Sequence, residues 1–408
     1  MSRPEMMAIG DSLYNGVRSL TIDGDLANHS VPAQVARAFS WGFVSPDYRR
    51  PVLADFERMA SHLGEAVNLR AACITNARQW LNSKDWSAHT VFHNLSIAQQ
   101  VVLNPMHRCY NDSLARAIAL TRLGKGIEIG VLPRLYQAIN TCFILNPSQD
   151  PKRGSMSAVD IVAELNPKRL LVNLGINDGL FLLLLTSDGS NYSTIDFSTK
   201  MANLIAELAT KCGGVEHFYI NLMPKPSAIA NLMPLDWSDG PAAGYFGTYK
   251  SYLYGASGTI PGELMQQIDT WVNDILNQKI RDACAGVGAK AHFVDLFALT
   301  AKHDFKNGLE SPDDGIYARP DMGAPRLTNW VLAVPLEGGL FGMDNLHPTV
   351  VGYGLIAQAV CETINAAEGI DYVPINLQEC YRSDTLLQDL PADLTFVDSL
   401  ISFLSSFV

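Results

Sequence analysis

The sequence is short of positive charge and has no clustered metal-binding residues. Its 30 Lys and Arg are outnumbered by 41 Asp and Glu, a net charge of −11 over 408 residues, and the basic residues are scattered. A nucleic-acid partner is therefore not expected, because phosphate recognition needs a local excess of Lys and Arg. The seven cysteines, Cys73, Cys109, Cys142, Cys212, Cys284, Cys361 and Cys380, form no CxxC pair, and there is no HExxH motif. No metal site is expected from these spacings. Free thiols favour a reducing, cytoplasmic setting. The N-terminus lacks a charged segment followed by a long apolar stretch, so no signal peptide is visible, although a trimmed export leader is compatible with a first strand so near residue 1. No apolar run approaches the ~20 residues that span a bilayer; the densest, Leu180 to Leu185, is too short.

What is present is a core-forming composition, 48% hydrophobic against 17% charged, with no low-complexity stretch. Five short apolar runs end in polar or turn residues: Met6–Ile9, Thr90–Leu95, Arg169–Leu174, His217–Leu222 and Ala291–Leu296. Helical periodicities separate them, including Phe197–Cys212, Met265–Cys284 and Thr349–Glu368, the first two closing before glycines. Strands alternating with helices predict an α/β fold with a parallel sheet of about five strands. In such sheets ligands bind beyond the carboxyl ends of the strands.

Three polar clusters fall at such ends. Gly10-Asp11-Ser12-Leu13 follows the first run, Gly175-Ile176-Asn177-Asp178 the third, and Asp344-Asn345-Leu346-His347-Pro348 precedes the last helix. Taken singly, Ser12 reads equally well as a helix N-cap, Asn177 as a turn residue and Asp344 as a solvated loop carboxylate. Together they supply a complete set for nucleophilic catalysis. Ser12 needs a base to remove its proton, His347 is that base, and Asp344 three residues earlier can hold the imidazole tautomer. The Ser12 N–H and the Asn177 side-chain amide are candidate donors to a developing oxyanion. Asp11 and Leu13, flanking the nucleophile, are placed at the substrate.

The connections about 99–168, 224–261 and 300–343 are longer than ordinary crossovers and are expected to form a lid or pocket walls on a single domain spanning 1–408. The middle one is rich in aromatics and glycines, and Trp237, Tyr245 and Phe246 are its candidate substrate contacts. The tail, 384–408, is apolar at helical spacing. Its polar face has no Lys or Arg to meet anionic headgroups, so docking on the body or on a second copy is favoured over membrane contact.

The three clusters resemble the blocks of the GDSL, or SGNH, hydrolase family, and Thr349-Val350-Val351-Gly352-Tyr353 continues the last block in that manner. The resemblance implies a flavodoxin-like three-layer α/β/α sandwich and hydrolysis of small-molecule or lipid acyl esters without metal or organic cofactor. It also implies a third oxyanion donor from the segment after the second strand, Asn94-Leu95-Ser96-Ile97-Ala98-Gln99. Where the family has glycine, this chain has Gln99, or Ala98 with a one-residue shift. An acyltransferase using the same residues, or a binding module that has lost turnover, are the competing functions.

Overall fold

The computed structural model describes residues 3–61, 69–84, 86–122, 131–180, 183–184, 194–236, 241–251, 259–304, 340–342, 344 and 346–388. Among them are seven strands: β1 (Met6–Gly10), β2 (Arg169–Asn173), β3 (His217–Asn221), β4 (Leu232–Pro234), β5 (Thr248–Ser251), β6 (Thr259–Pro261) and β7 (Ala291–Val294). Four of these form a wholly parallel sheet in the order β1-β2-β3-β7.

Period-two alternation sends successive side chains to opposite faces, and each face has its own helical cover. Met7 and Ile9 of β1, with Leu170 and Val172 of β2, meet Leu135, Ile139 and Phe143 of the helix Leu132–Leu145 and Leu204 and Leu208 of the helix Thr194–Lys211. Met6, Ala8 and Leu171 face the other way, toward Val31 and Val35 of the helix Val31–Ala38 and Val360 and Ile364 of the helix Val350–Glu368. The result is the α/β/α sandwich. The helix Val350–Glu368 is long and apolar enough to cross a membrane, but here that apolar surface is a sheet-covering face.

The run Thr90–Leu95 departs from expectation. Instead of a full strand it is an extended segment on the free edge of β1, joined by a single parallel bridge between Ala8 and Asn94. Ala8 N donates to His93 O at 2.9 Å and Leu95 N to Ala8 O at 2.8 Å. Ile97 N continues the contact by donating to Gly10 O at 2.9 Å, while Asn94 Oδ1 accepts from Ser96 N at 3.2 Å and Asn94 Nδ2 donates to Tyr14 O at 2.7 Å. Counting this edge, the spatial order is that of flavodoxin-like sheets.

The long connections, expected as a lid or pocket walls, contain ordered elements of their own. Within 99–168, the helix Leu132–Leu145 is buried core, with Phe143 stacked on Tyr48 at 4.4 Å between ring centroids. Within 224–261, β4, β5 and β6 make a separate antiparallel sheet. Most of 300–343, Trp237, and all of the tail beyond Gln388 lie outside the described residues. The expected helix Met265–Cys284 forms as Gly262–Ala283, with a widened turn at Val272–Leu276. All seven cysteines are buried and free.

Candidate active site

β1 delivers Ser12 to the carboxyl edge of the sheet at the start of a one-turn helix, Ser12–Asn15. Asp11, not Ser12, is the N-cap: its extended backbone leaves Oδ1 to accept from Leu13 N at 3.0 Å. The serine hydroxyl is thereby relieved of the capping role. Beneath the helix, Asn15 Nδ2 donates to Tyr48 Oη at 3.0 Å, Tyr48 Oη to Asn140 Oδ1 at 2.7 Å, and Asn140 Nδ2 back to Asn15 Oδ1 at 2.8 Å. This closed, buried triangle fixes the turn that carries Ser12.

The carboxylate–imidazole pair is equally confined. His347 Nδ1 lies 2.6 Å from Asp344 Oδ2. Asp344 is fully buried and accepts three further bonds: Leu346 N and His347 N on Oδ1 at 3.0 and 2.9 Å, and Leu20 N on Oδ2 at 3.0 Å. Burial by itself would raise the Asp344 pKa, but the facing His347 and these donors outweigh it and hold the carboxyl below its ordinary value. An ionised Asp344 only accepts, so a neutral imidazole facing it carries its proton on Nδ1 and leaves a lone pair on Nε2.

Ser12, Asp11, Leu13, Gln99, Asn177 and His347 all line one cavity of about 420 Å³. Gly175, at φ +131°, turns the chain out of β2, and a side chain there would strike Met223 and Phe197. Two residues later Asn177 Nδ2 donates to Gln100 O at 3.2 Å and reaches Asp11 Oδ2 at 3.5 Å. Gln99 occupies a left-handed backbone position, φ +60°, while Ala98 is buried and not part of the wall. The conformation that glycine prefers is thus present with a glutamine in it. Gln137 Nε2 donates to Gln99 O at 2.7 Å.

Two of the aromatic candidates, Tyr245 and Phe246, sit elsewhere. Tyr245 donates to Asp269 Oδ2 at 2.8 Å, and Phe246 is core, edge-on to Tyr249; neither lines the cavity. The connection contributes Pro224, Ala228 and Ile229 instead, which join Leu174, Ile176, Leu222, Met223, Leu296, Phe341 and Leu346 in an apolar wall. Asn173 and Asn221, at the last positions of β2 and β3, also line it and are additions to the sequence reading. The only sequence sign of them is a polar residue closing an otherwise apolar strand. Burial pushes the Asp11 carboxyl up to about 7, against the pull of Leu13 N–H, His347 and Asn173.

A half-buried serine on a tight turn, a carboxylate–imidazole pair and an amide side chain around one apolar cavity are groups that acyl transfer would use. No curated protein matches the chain. The pattern of the GDSL-like Lipase/Acylhydrolase family, however, matches residues 6–360, from β1 through most of the last sheet-covering helix. The chain belongs to the GDSL-like lipase/acylhydrolase family.

Proposed function

We propose that the chain hydrolyses acyl esters with Ser12 as nucleophile, His347 as general base and Asp344 as the carboxylate that orients it. Family membership carries acyl hydrolysis in general. The observation that carries the residue roles is the 2.6 Å Asp344–His347 pair on the same cavity as Ser12.

In this reading Ser12 Oγ attacks the acyl carbon as His347 Nε2 takes its proton, and Asp344 stabilises the imidazolium. The oxyanion is met by the backbone N–H groups of Ser12 and Gln99 and by the Asn177 amide, whose long contact to Asp11 is the weaker of its two. His347 then protonates the departing alkoxide, and water repeats the sequence on the acyl-enzyme to release the acid. The apolar wall of Leu174, Ile176, Leu222, Met223 and Ile229 suits the acyl chain of a small-molecule or lipid ester. No cofactor enters any step.

In the purified full chain, Ser12→Ala is expected to reduce p-nitrophenyl ester hydrolysis by on the order of 10⁴-fold or more. Labelling by a fluorophosphonate should vanish with it. Turnover retained by this variant would overturn the assignment.

A further inference from the structure

The geometry points to Asp384 and Arg18 as positioning residues that clamp the Asp344–His347 pair from both sides. This rests on the acyl-hydrolase reading of the pair. The clamp begins at a strained turn. Arg18 and Thr21 exchange backbone hydrogen bonds at 2.9 and 2.7 Å, and between them Ser19 and Leu20 both hold left-handed backbone, φ +50° and +56°. Two consecutive non-glycine residues there persist only where surrounding contacts over-determine them. The turn's product is the Leu20 N–H, which donates at 3.0 Å to Asp344 Oδ2, the oxygen that also holds His347 Nδ1.

The contacts that fix the turn come from far along the chain. The buried Arg18 guanidinium donates to both Glu57 carboxylate oxygens at 2.8 and 2.6 Å, to Asp384 Oδ1 at 2.7 Å and to Thr385 Oγ1 at 2.7 Å. The other Asp384 oxygen accepts from Val350 N at 2.7 Å, the first residue of the helix that His347-Pro348-Thr349 leads into. One carboxylate thus ties the turn that supplies the donor to the helix start that seats the base. Gly342 closes the remaining side: a Cβ there would lie 2.7 Å from Ser19 Oγ, and Gly342 N donates to His347 O at 2.7 Å.

If the clamp loosens, Asp344 Oδ2 loses the Leu20 donor and the Asp344–His347 hydrogen bond is no longer held in one geometry. The test uses the full chain with Asp384→Asn and, as a control, Glu368→Gln. Glu368 takes an equally short pair of bonds from Arg169, the first residue of β2, at the sheet end opposite Ser12. Asp384→Asn should lower kcat about tenfold with KM changed less than about twofold. It should also shift the His347 ring and Nδ1–H proton resonances, followed by NMR, because both report the contact with Asp344. Glu368→Gln should leave both in place despite a comparable loss of thermal stability. Should Asp384→Asn not fold, Thr385→Val removes a single acceptor and should move both readouts in the same directions, by about twofold in kcat. Unmoved His347 resonances in a folded Asp384→Asn chain, or in Thr385→Val where that variant must stand in, overturn the clamp, as does an equal response in the control. The ring resonances do not depend on turnover, so a shift in a chain with no esterase activity supports the clamp and refutes the acyl-hydrolase reading instead.

Discussion

Asn173 Nδ2 donates to Asp11 Oδ1 across 2.7 Å, joining the Ser12 loop to a line of side chains that crosses the sheet. Asn221 Nδ2 donates to Asn173 Oδ1 at 2.9 Å, and Tyr14 Oη donates to Asn221 Oδ1 at 2.9 Å. All four residues are buried. Each amide receives on its oxygen and gives from its nitrogen, so the direction of the line is set by its phenol and carboxylate ends. Asn221→Leu would leave the Tyr14 hydroxyl and the Asn173 carbonyl without this partner in the interior. The expected loss is about 1–3 kcal/mol, read as a lower urea midpoint at unchanged m-value. An unchanged midpoint would show that the line contributes nothing to stability.

The same carboxylate has a pH signature. Asp11 titrates near 3.8 when unfolded and about 7 when buried, so between those values the folded chain holds a proton that the unfolded chain has released. Linkage then makes the Asp11 contribution fall as pH rises from about 4 to 7. Asp11→Asn has no charge to bury, so its stability relative to the unaltered chain should improve over that interval by on the order of 2–4 kcal/mol. Parallel stability curves for the two proteins would contradict the burial argument.

Asp344 has the opposite sign. Its folded carboxyl titrates below the ordinary 3.8, so its contribution is present above that value and lost as pH falls through the folded value. Asp344→Asn should therefore be less stable than the unaltered chain at pH 7 and converge with it in strong acid. Its kcat should fall by on the order of 10⁴-fold, since an amide favours the wrong imidazole tautomer. Chemical denaturation at pH 7 and pH 2.5, with ester turnover at pH 7, checks both parts.

Ser12, Asn177 and Asp344–His347 are legible in sequence because each sits in a short local pattern at the end of an apolar run. The parallel sheet wound with helices is legible because short apolar runs alternate with helical periodicities. The roles of Asn173 and Asn221 are not, since they depend on the register that sets Gly10 beside Asn173. Leu20 acts through its backbone, which carries no residue signal, and Asp384 meets Arg18 across 366 positions of chain. Tyr245 and Phe246 show the limit of composition: an aromatic-rich segment does not say which way its rings face. Here Asp269 and Tyr249 turn them into the body.

Gln99 offers a direct check on backbone strain. At φ +60° a glutamine is disfavoured relative to glycine by about 1 kcal/mol, partly offset by the greater freedom glycine has when unfolded. Gln99→Gly should keep the ester turnover, because the donor there is a backbone N–H, and should not lower the melting temperature. Gln99→Val, with a β-branched side chain in the same conformation, should lower it clearly. Thermal melts of the two variants separate strain at this position from a need for the glutamine side chain.

The cavity wall sets the last expectation. Leu174, Ile176, Leu222, Met223 and Ile229 surround the space of about 420 Å³ beside Ser12. Each methylene buried against such a wall contributes about 0.8 kcal/mol, which is about fourfold in kcat/KM where the transition state keeps the contact. Across p-nitrophenyl esters from acetate upward, kcat/KM should climb by about that factor per carbon and then level once the space is full. Ile229→Trp takes up part of the space without touching Ser12 or His347, so it should bring the plateau to shorter chains and leave acetate nearly unaffected. A flat profile in the unaltered chain, or a uniform loss in the variant, would place the acyl chain somewhere other than this wall.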